Sequence, residues 1–350
     1  HLGWQGRDRE AGFLIGRTLI QPDGTTADAT MSDTELAAAP IAFRTAIQGA
    51  DEILSGYHSA GSLDAWRDAV GKLAGLPFPI ITLFASFAPP LLEILGCPNF
   101  IVSLDGVTSQ GKTTAQRIAA SVWGDPDEAR PGSTVRSWDS TTVNFERVAG
   151  LLRNLPVILD DTKRVKRPAE IAGFLYSLAQ GKGRGRGTVG GLAHTQTWRT
   201  VLISSGEAPI TSFTEDGGVK MRVLSLWGAP FKTGAALVDE LNLAVGFNYG
   251  HAGPAFIQAL LRRRDEWPEW RARYEDFARD YTSRANTEKA SRLAKYAAAV
   301  RLAGELAIDA LGLSFEKGAD PFAECWTEIA GQADDAAGAE RALELVYGWA

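Results

Sequence analysis

The chain has 350 residues, 45% of them hydrophobic and 22% charged, with a formal net charge of −6. Such a composition suits a globular protein of about two domains and excludes one that coats nucleic acid with its whole surface, though a local basic element remains open. Two cysteines, Cys97 and Cys325, are too few for a disulfide framework, and no N-terminal segment has a signal peptide's pattern, so the expected compartment is the cytoplasm.

Residues 1–60 read as a small N-terminal segment, with a Gly-rich opening, a turn at Pro22-Asp23-Gly24 and a helix around Asp33–Ile53. Ser62 is placed to cap a helix running to about Gly75. The stretch Leu76–Leu95 is long and nearly uncharged, but Pro77, Pro79, Pro89 and Pro90 interrupt it, so it reads as a buried helical hairpin rather than a membrane span.

From residue 99 onward, strands alternate with helices. Asn99–Leu104, Pro156–Leu159, Trp198–Ser204 and Arg222–Trp227 read as strands; Lys112–Trp123 and Ala169–Gln180 read as helices. That alternation implies an α/β core with a mostly parallel sheet flanked by helices. After about Ala229 the strand signals stop, and His251–Trp267, Pro268–Tyr281, Thr287–Leu313 and a final pair over Pro321–Ala350 read as helices. The expected organisation is an N-terminal segment (1–60), a core with its preceding helices (61–230) and a helical C-terminal domain (231–350).

Gly106-Val107-Thr108-Ser109-Gln110-Gly111-Lys112-Thr113 satisfies the phosphate-loop pattern in full, between a strand and a helix. Its glycines let backbone N–H groups turn inward around the β-phosphate, Lys112 reaches the β- and γ-oxygens, and the Thr113 hydroxyl ligates Mg²⁺. The helix start, with Thr114 next in line, adds its positive dipole end. This predicts ATP binding with Mg²⁺. Leu155–Leu159 then ends in Asp160-Asp161. A second strand beside the phosphate-loop strand would present Asp160 to Mg²⁺, and Asp161 would polarise the attacking water. A strand ending in a solvated turn is the plainer alternative.

The strand ending in Ser204-Ser205-Gly206-Glu207 offers a hydroxyl near the γ-phosphate, unless it is a simple turn. Arg222, just before the last strand, has the permanently charged fork that suits a developing phosphoryl charge, unless it is an ordinary surface arginine. Gly181–Gly191 sets Lys182, Arg184 and Arg186 among six glycines, with His194 beyond, and a second basic run covers Lys163–Arg167. Without aromatics in the loop, the cations would meet phosphates rather than bases, unless the loop is simply solvated. His194 and His251 have no ligand constellation around them and suggest no zinc site.

These stretches, together with Gly61–Trp66, Gly106–Thr114, Ala119–Gly124, Trp138–Thr142 with Asn144 and Glu146, and Asn248–Gly253, resemble the ATPase domain of Cch-like helicases of mobile genetic elements. That is a branch of the AAA+ superfamily near the MCM and phage primase–helicase groups. The resemblance covers most of residues 55–310, and Asp161 departs from the usual Asp-Glu. It implies an ATP-hydrolysing helicase or replication initiator working as a homo-oligomeric ring on DNA, single-stranded and without sequence preference. In that setting Ser205 (or Ser204) is a γ-phosphate sensor, Arg222 reaches a neighbouring subunit's nucleotide, and the basic loop is a hairpin entering the pore. A regulatory or defence-type switch acting on a protein partner is the main alternative, and a small-molecule kinase a minor one. No membrane partner is expected.

Overall fold

The computed structural model describes residues 1–6, 9–29, 49–107, 111–164, 168–185, 187–188, 191–192, 195–232 and 234–331. Thr108–Gln110, Arg186, His194, most of the helix expected over Asp33–Ile53, and residues 332–350 of the final helical pair lie outside these ranges.

Four short strands open the chain: β1 (Gly3–Trp4), β2 (Phe13–Ile15), β3 (Thr18–Ile20) and β4 (Thr26–Asp28), each antiparallel to the next. Helix α1 (Ala50–Ser55) follows, then α2 (Leu63–Gly71), where the Ser62 hydroxyl accepts from the Ala65 N–H as the sequence foretells. The apolar stretch becomes α3 (Pro77–Phe87) and α4 (Pro89–Leu95), bent by 65° at their junction. Both are largely buried. Prolines open each helix, where the missing N–H costs nothing. Among the described residues no single helix is long and apolar enough to cross a membrane; the bent pair passes only by combined length and composition.

The central sheet has five parallel strands. In chain order they are β5 (Phe100–Asp105), β6 (Val135–Ser137), β7 (Val157–Asp160), then, after a two-stranded hairpin of β8 (Gly187–Thr188) and β9 (Gly191–Leu192), β10 (Val201–Gly206) and β11 (Val223–Trp227). In space the order is β11-β5-β10-β7-β6. Every residue of β5 and β10 is buried, as parallel strands covered on both faces require.

This order corrects one expectation. The strand bearing Asp160 does not lie beside the phosphate-loop strand, because β10 inserts between β5 and β7 and pairs with both. The general P-loop pattern places the two as neighbours, whereas strand order in a given chain is decided by how the crossover helices pack.

The crossover helices are α5 (Lys112–Ser121), α6 (Thr142–Leu152) and α7 (Pro168–Gln180), and the one-turn α8 (Gly217–Lys220) precedes β11. The chain then runs through α9 (Ala235–Phe247), α10 (Ala252–Arg262), α11 (Trp267–Ser283), α12 (Glu288–Leu311) and α13 (Trp326–Gly331). Strand β6 and helices α6 and α9 are additions to the sequence reading. The late helices do not stand away from the sheet: Tyr296 of α12 stacks on Phe100 of β5 at 5.1 Å. Gly304 lets α12 meet α3 so closely that a Cβ there would lie 2.1 Å from Phe84 Cδ2.

Candidate functional site

All five parallel strands point their C-terminal ends to one edge, where the loops leave room for a ligand. There β5 ends in Asp105-Gly106, β7 in Asp160-Asp161 and β10 in Ser205-Gly206-Glu207. A cleft of ≈ 610 Å³ opens at this edge, lined among others by Gly111, Lys112, Thr113, Thr114, Asp160, Asp161 and Ser205.

Helix α5 starts on Gly111, which has the left-handed φ of 83° that glycine tolerates. A Cβ on Gly111 would also sit 2.5 Å from Phe231 Cδ2. The loop's first glycine is tied to the sheet, its N–H donating to Gly206 O at 3.2 Å. Lys112 Nζ donates to the carbonyl oxygens of Gly106 (2.7 Å) and Val107 (2.6 Å), and the Val107 side chain is exposed. Burial holds the Lys112 ammonium below its usual pKa, against the opposing pull of Glu207 first, then Asp105, Asp160 and Asp161.

Thr113 Oγ1 lies 3.5 Å from both carboxylate oxygens of Asp160. That is too long for a good O–H···O bond. It is also about 0.5 Å beyond the ~3.0 Å that separates cis oxygens around Mg²⁺ with bonds of about 2.1 Å. A small approach of the two side chains would let the pair share a magnesium ion. Among the described residues no group of three or more His, Cys, Asp or Glu could hold a metal ion.

The two serines that the sequence left as alternatives separate by strand alternation. Ser204 accepts from Trp138 Nε1 at 3.0 Å, inside a buried cluster with Phe145 and Phe174. Ser205 faces the cleft: its hydroxyl donates to Asp160 Oδ1 at 2.5 Å and accepts from the Asp161 N–H at 3.0 Å. Asp161 adopts a positive φ of 58°, and its Oδ1 accepts from the Lys163 N–H at 3.0 Å. The Asp161 side chain thus also stabilises its own turn.

Asp105 is fully buried beneath the loop. Its carboxylate accepts from Ser103 Oγ at 2.6 Å and Ser225 Oγ at 2.7 Å. Burial raises its pKa to about 6, although both serines, Lys112 and the Ile210 N–H favour the charged form.

Arg222 is not brought to this edge. Its carbonyl accepts from Ile101 N at the start of β5, the opposite end of the sheet from Gly106, and its guanidinium donates to Gly218 O. The basic glycine loop also belongs to that far edge. It is a hairpin, with Lys182 bridged to Thr197 and Gly187 paired with Leu192. Lys182 and Arg184 are exposed, and the Arg184 N–H donates to Glu146.

Several cleft residues escaped the sequence reading. Glu207 forms an ion pair with Lys163 across the cleft mouth, and Arg117 makes a two-pronged bond to Glu128 while also reaching Asn242 at 3.3 Å. Glu207 had a signal, a charge one residue past a strand tip at the cleft edge. Val238 and Asn242 had none, because α9 itself was not recognised.

Comparisons with known proteins come from two directions. The family described as "Domain of unknown function (DUF927)" matches residues 3–198, more than half of the chain. No curated protein matches. Among solved structures, one titled "SCCmec type IV Cch - active helicase" is similar, with a TM-score of 0.67 and 20% identity, covering 95% of this chain and 62% of that one. This chain therefore spans less than two thirds of that protein, and at this identity the likeness is one of fold.

Proposed function

For a chain that belongs to the DUF927 family, we propose, from the site itself, an ATP-hydrolysing P-loop motor of the AAA+ type that acts on DNA. The observation that carries this reading is the convergence of Lys112, Thr113, Asp160 and Ser205 on one cleft, with β10 standing between the phosphate-loop strand and the Asp160 strand. The fold likeness to a protein titled an active helicase adds support.

In this reading the Gly106–Thr113 loop, with Thr114 behind it, wraps the triphosphate, and Lys112 leaves the Gly106 and Val107 carbonyls for the β- and γ-oxygens. Thr113 and Asp160 hold the magnesium, which when bound offsets the charge growing on the phosphates. Ser205 fixes the Asp160 carboxylate through its short hydrogen bond and senses the γ-phosphate. Asp161 takes the proton of the attacking water as the new O–P bond forms and the bond to the bridging oxygen breaks, releasing ADP and phosphate. Lys182, Arg184 and Arg186 of the far-edge hairpin contact the backbone of a single strand without reading its bases. Arg222 completes the cleft of a neighbouring copy in a ring, and the mobile-element role follows the family resemblance.

The deciding assay measures ATP turnover with and without forked DNA at low salt, alongside the mass of the nucleotide-bound assembly. Stimulation by DNA and a closed oligomer are the expected results. Turnover indifferent to every DNA form sinks the DNA half of the reading. A second reading, a regulatory or defence-type switch on a protein partner, draws on Leu243 and Phe247, 64% and 66% exposed on α9 beside the cleft. A co-purifying protein with no salt-dependent DNA binding favours it.

A further inference from the structure

Phosphoryl transfer spreads negative charge over the γ-oxygens, and a P-loop lysine usually shares that charge with a second cation. Three described cations line this cleft: Lys112, Arg117 and Lys163. Arg117 is committed to Glu128 and Asn242. Arg222 stands at the opposite end of the sheet and cannot reach the nucleotide of its own chain. That leaves Lys163.

Its position is well defined. The 3₁₀ turn Thr162–Arg164 directly follows Asp161, and the Lys163 N–H is fixed on Asp161 Oδ1. Thr162 is buried against the tip of β10, where a Cβ on Gly206 would meet its Oγ1 at 2.4 Å. Gly206 in turn anchors the first glycine of the phosphate loop. The Lys163 backbone is therefore locked to the loop that would hold the triphosphate, while its side chain remains 61% exposed on a flexible stem. Its ammonium meets the Glu207 carboxylate, the same carboxylate that pulls most strongly on Lys112. Glu207 thus sits between two lysines at the cleft mouth.

Resting on the ATPase reading above, we infer that Lys163 is a second phosphate-binding cation of the cleft, held on Glu207 until a γ-phosphate draws it in. A γ-phosphate carries more negative charge than a single carboxylate and offers three acceptor oxygens, so it outcompetes Glu207 for the Lys163 ammonium. ADP lacks that group and leaves Lys163 on Glu207. The pair thereby distinguishes substrate from product.

The test compares ADP with a non-hydrolysable ATP analogue bound to the full chain, together with kcat. Lys163→Ala is expected to weaken the analogue about tenfold and slow turnover by a similar factor, with ADP affinity held within about twofold. Lys163→Arg should restore most of both, and Glu207→Gln should tighten the analogue more than ADP. An unchanged analogue-to-ADP ratio with full turnover in Lys163→Ala overturns the inference, as does an equal loss of both nucleotides. The underlying ATPase reading fails separately, if the unmutated chain binds neither nucleotide or Lys112→Ala binds both normally.

Discussion

Lys112 rests on its own loop's carbonyls, and the two bonds it makes there mark the donors it would turn toward phosphate. Charge-assisted bonds of this kind contribute about 1.5–3 kcal/mol each, so Lys112→Ala should weaken ATP binding by at least about 100-fold in a titration of a fluorescent nucleotide. Asp161→Asn should bind ATP as before and lose turnover by about 10²–10⁴-fold. Full hydrolysis in that variant would assign the proton transfer to another group. Asp105 gives a prediction about pH. Its pKa of about 6 exceeds the 3.8 of an unperturbed aspartate, so the folded chain holds the extra proton between those values. The Asp105 contribution to stability is therefore greatest below about pH 4, is lost as pH rises to about 6 (on the order of 3 kcal/mol), and is level above. Urea unfolding across that range should show Asp105→Asn lacking this downward component relative to the unmutated chain. A residue pattern singles out Lys112 and Asp160, because the roles proposed for them follow from type and spacing. It does not reveal that the Asp161 carboxylate also closes a turn, since that depends on a backbone angle.

At the level of elements, the sequence shows best what is long and periodic. The P-loop strand and helix, the α3–α4 stretch and the long helix α12 were all legible. Strand β6 has three residues and offers no alternation to detect. Helix α6 begins among polar residues, and only the Thr141 cap, accepting from the Asn144 N–H, marks its start. Helix α9 carries Leu243 and Phe247 on its exposed side, which spoils the amphipathic period that would have announced it. Close packing between elements is equally silent in a sequence. Gly304 is one such point, and Gly304→Val should destabilise the chain by about 1–3 kcal/mol, read as a lower urea midpoint, because the Phe84 ring occupies the space a side chain needs.

For the molecule as a whole, the sheet has two working edges. The cleft proposed for the nucleotide lies at the C-terminal edge of the strands, whereas Arg222 and the basic hairpin belong to the other. If Arg222 serves a neighbour's cleft, neither Arg222→Ala nor Lys112→Ala alone should hydrolyse ATP at the normal rate, but a mixture should recover part of it. The Lys112→Ala chain then lends its intact arginine to a partner with an intact loop. No recovery in mixed assemblies of verified stoichiometry would remove the trans role. Strand order and edge placement could not be read from the chain because they are settled by packing between distant segments.

The insertion of β10 at the middle of the sheet has a mechanical consequence. Laddered on both sides, this six-residue strand cannot slide alone, and at ~3.3 Å per residue it forms a stiff strut about 20 Å long. Ser205 sits near one end, and Trp198, leading into the other end, is bonded to Gly181 at the hairpin root. If the proposed nucleotide cycle tilts the strand at its Ser205 end, the displacement would be carried to that root, where the chain passes from the five-stranded sheet into the two-stranded hairpin.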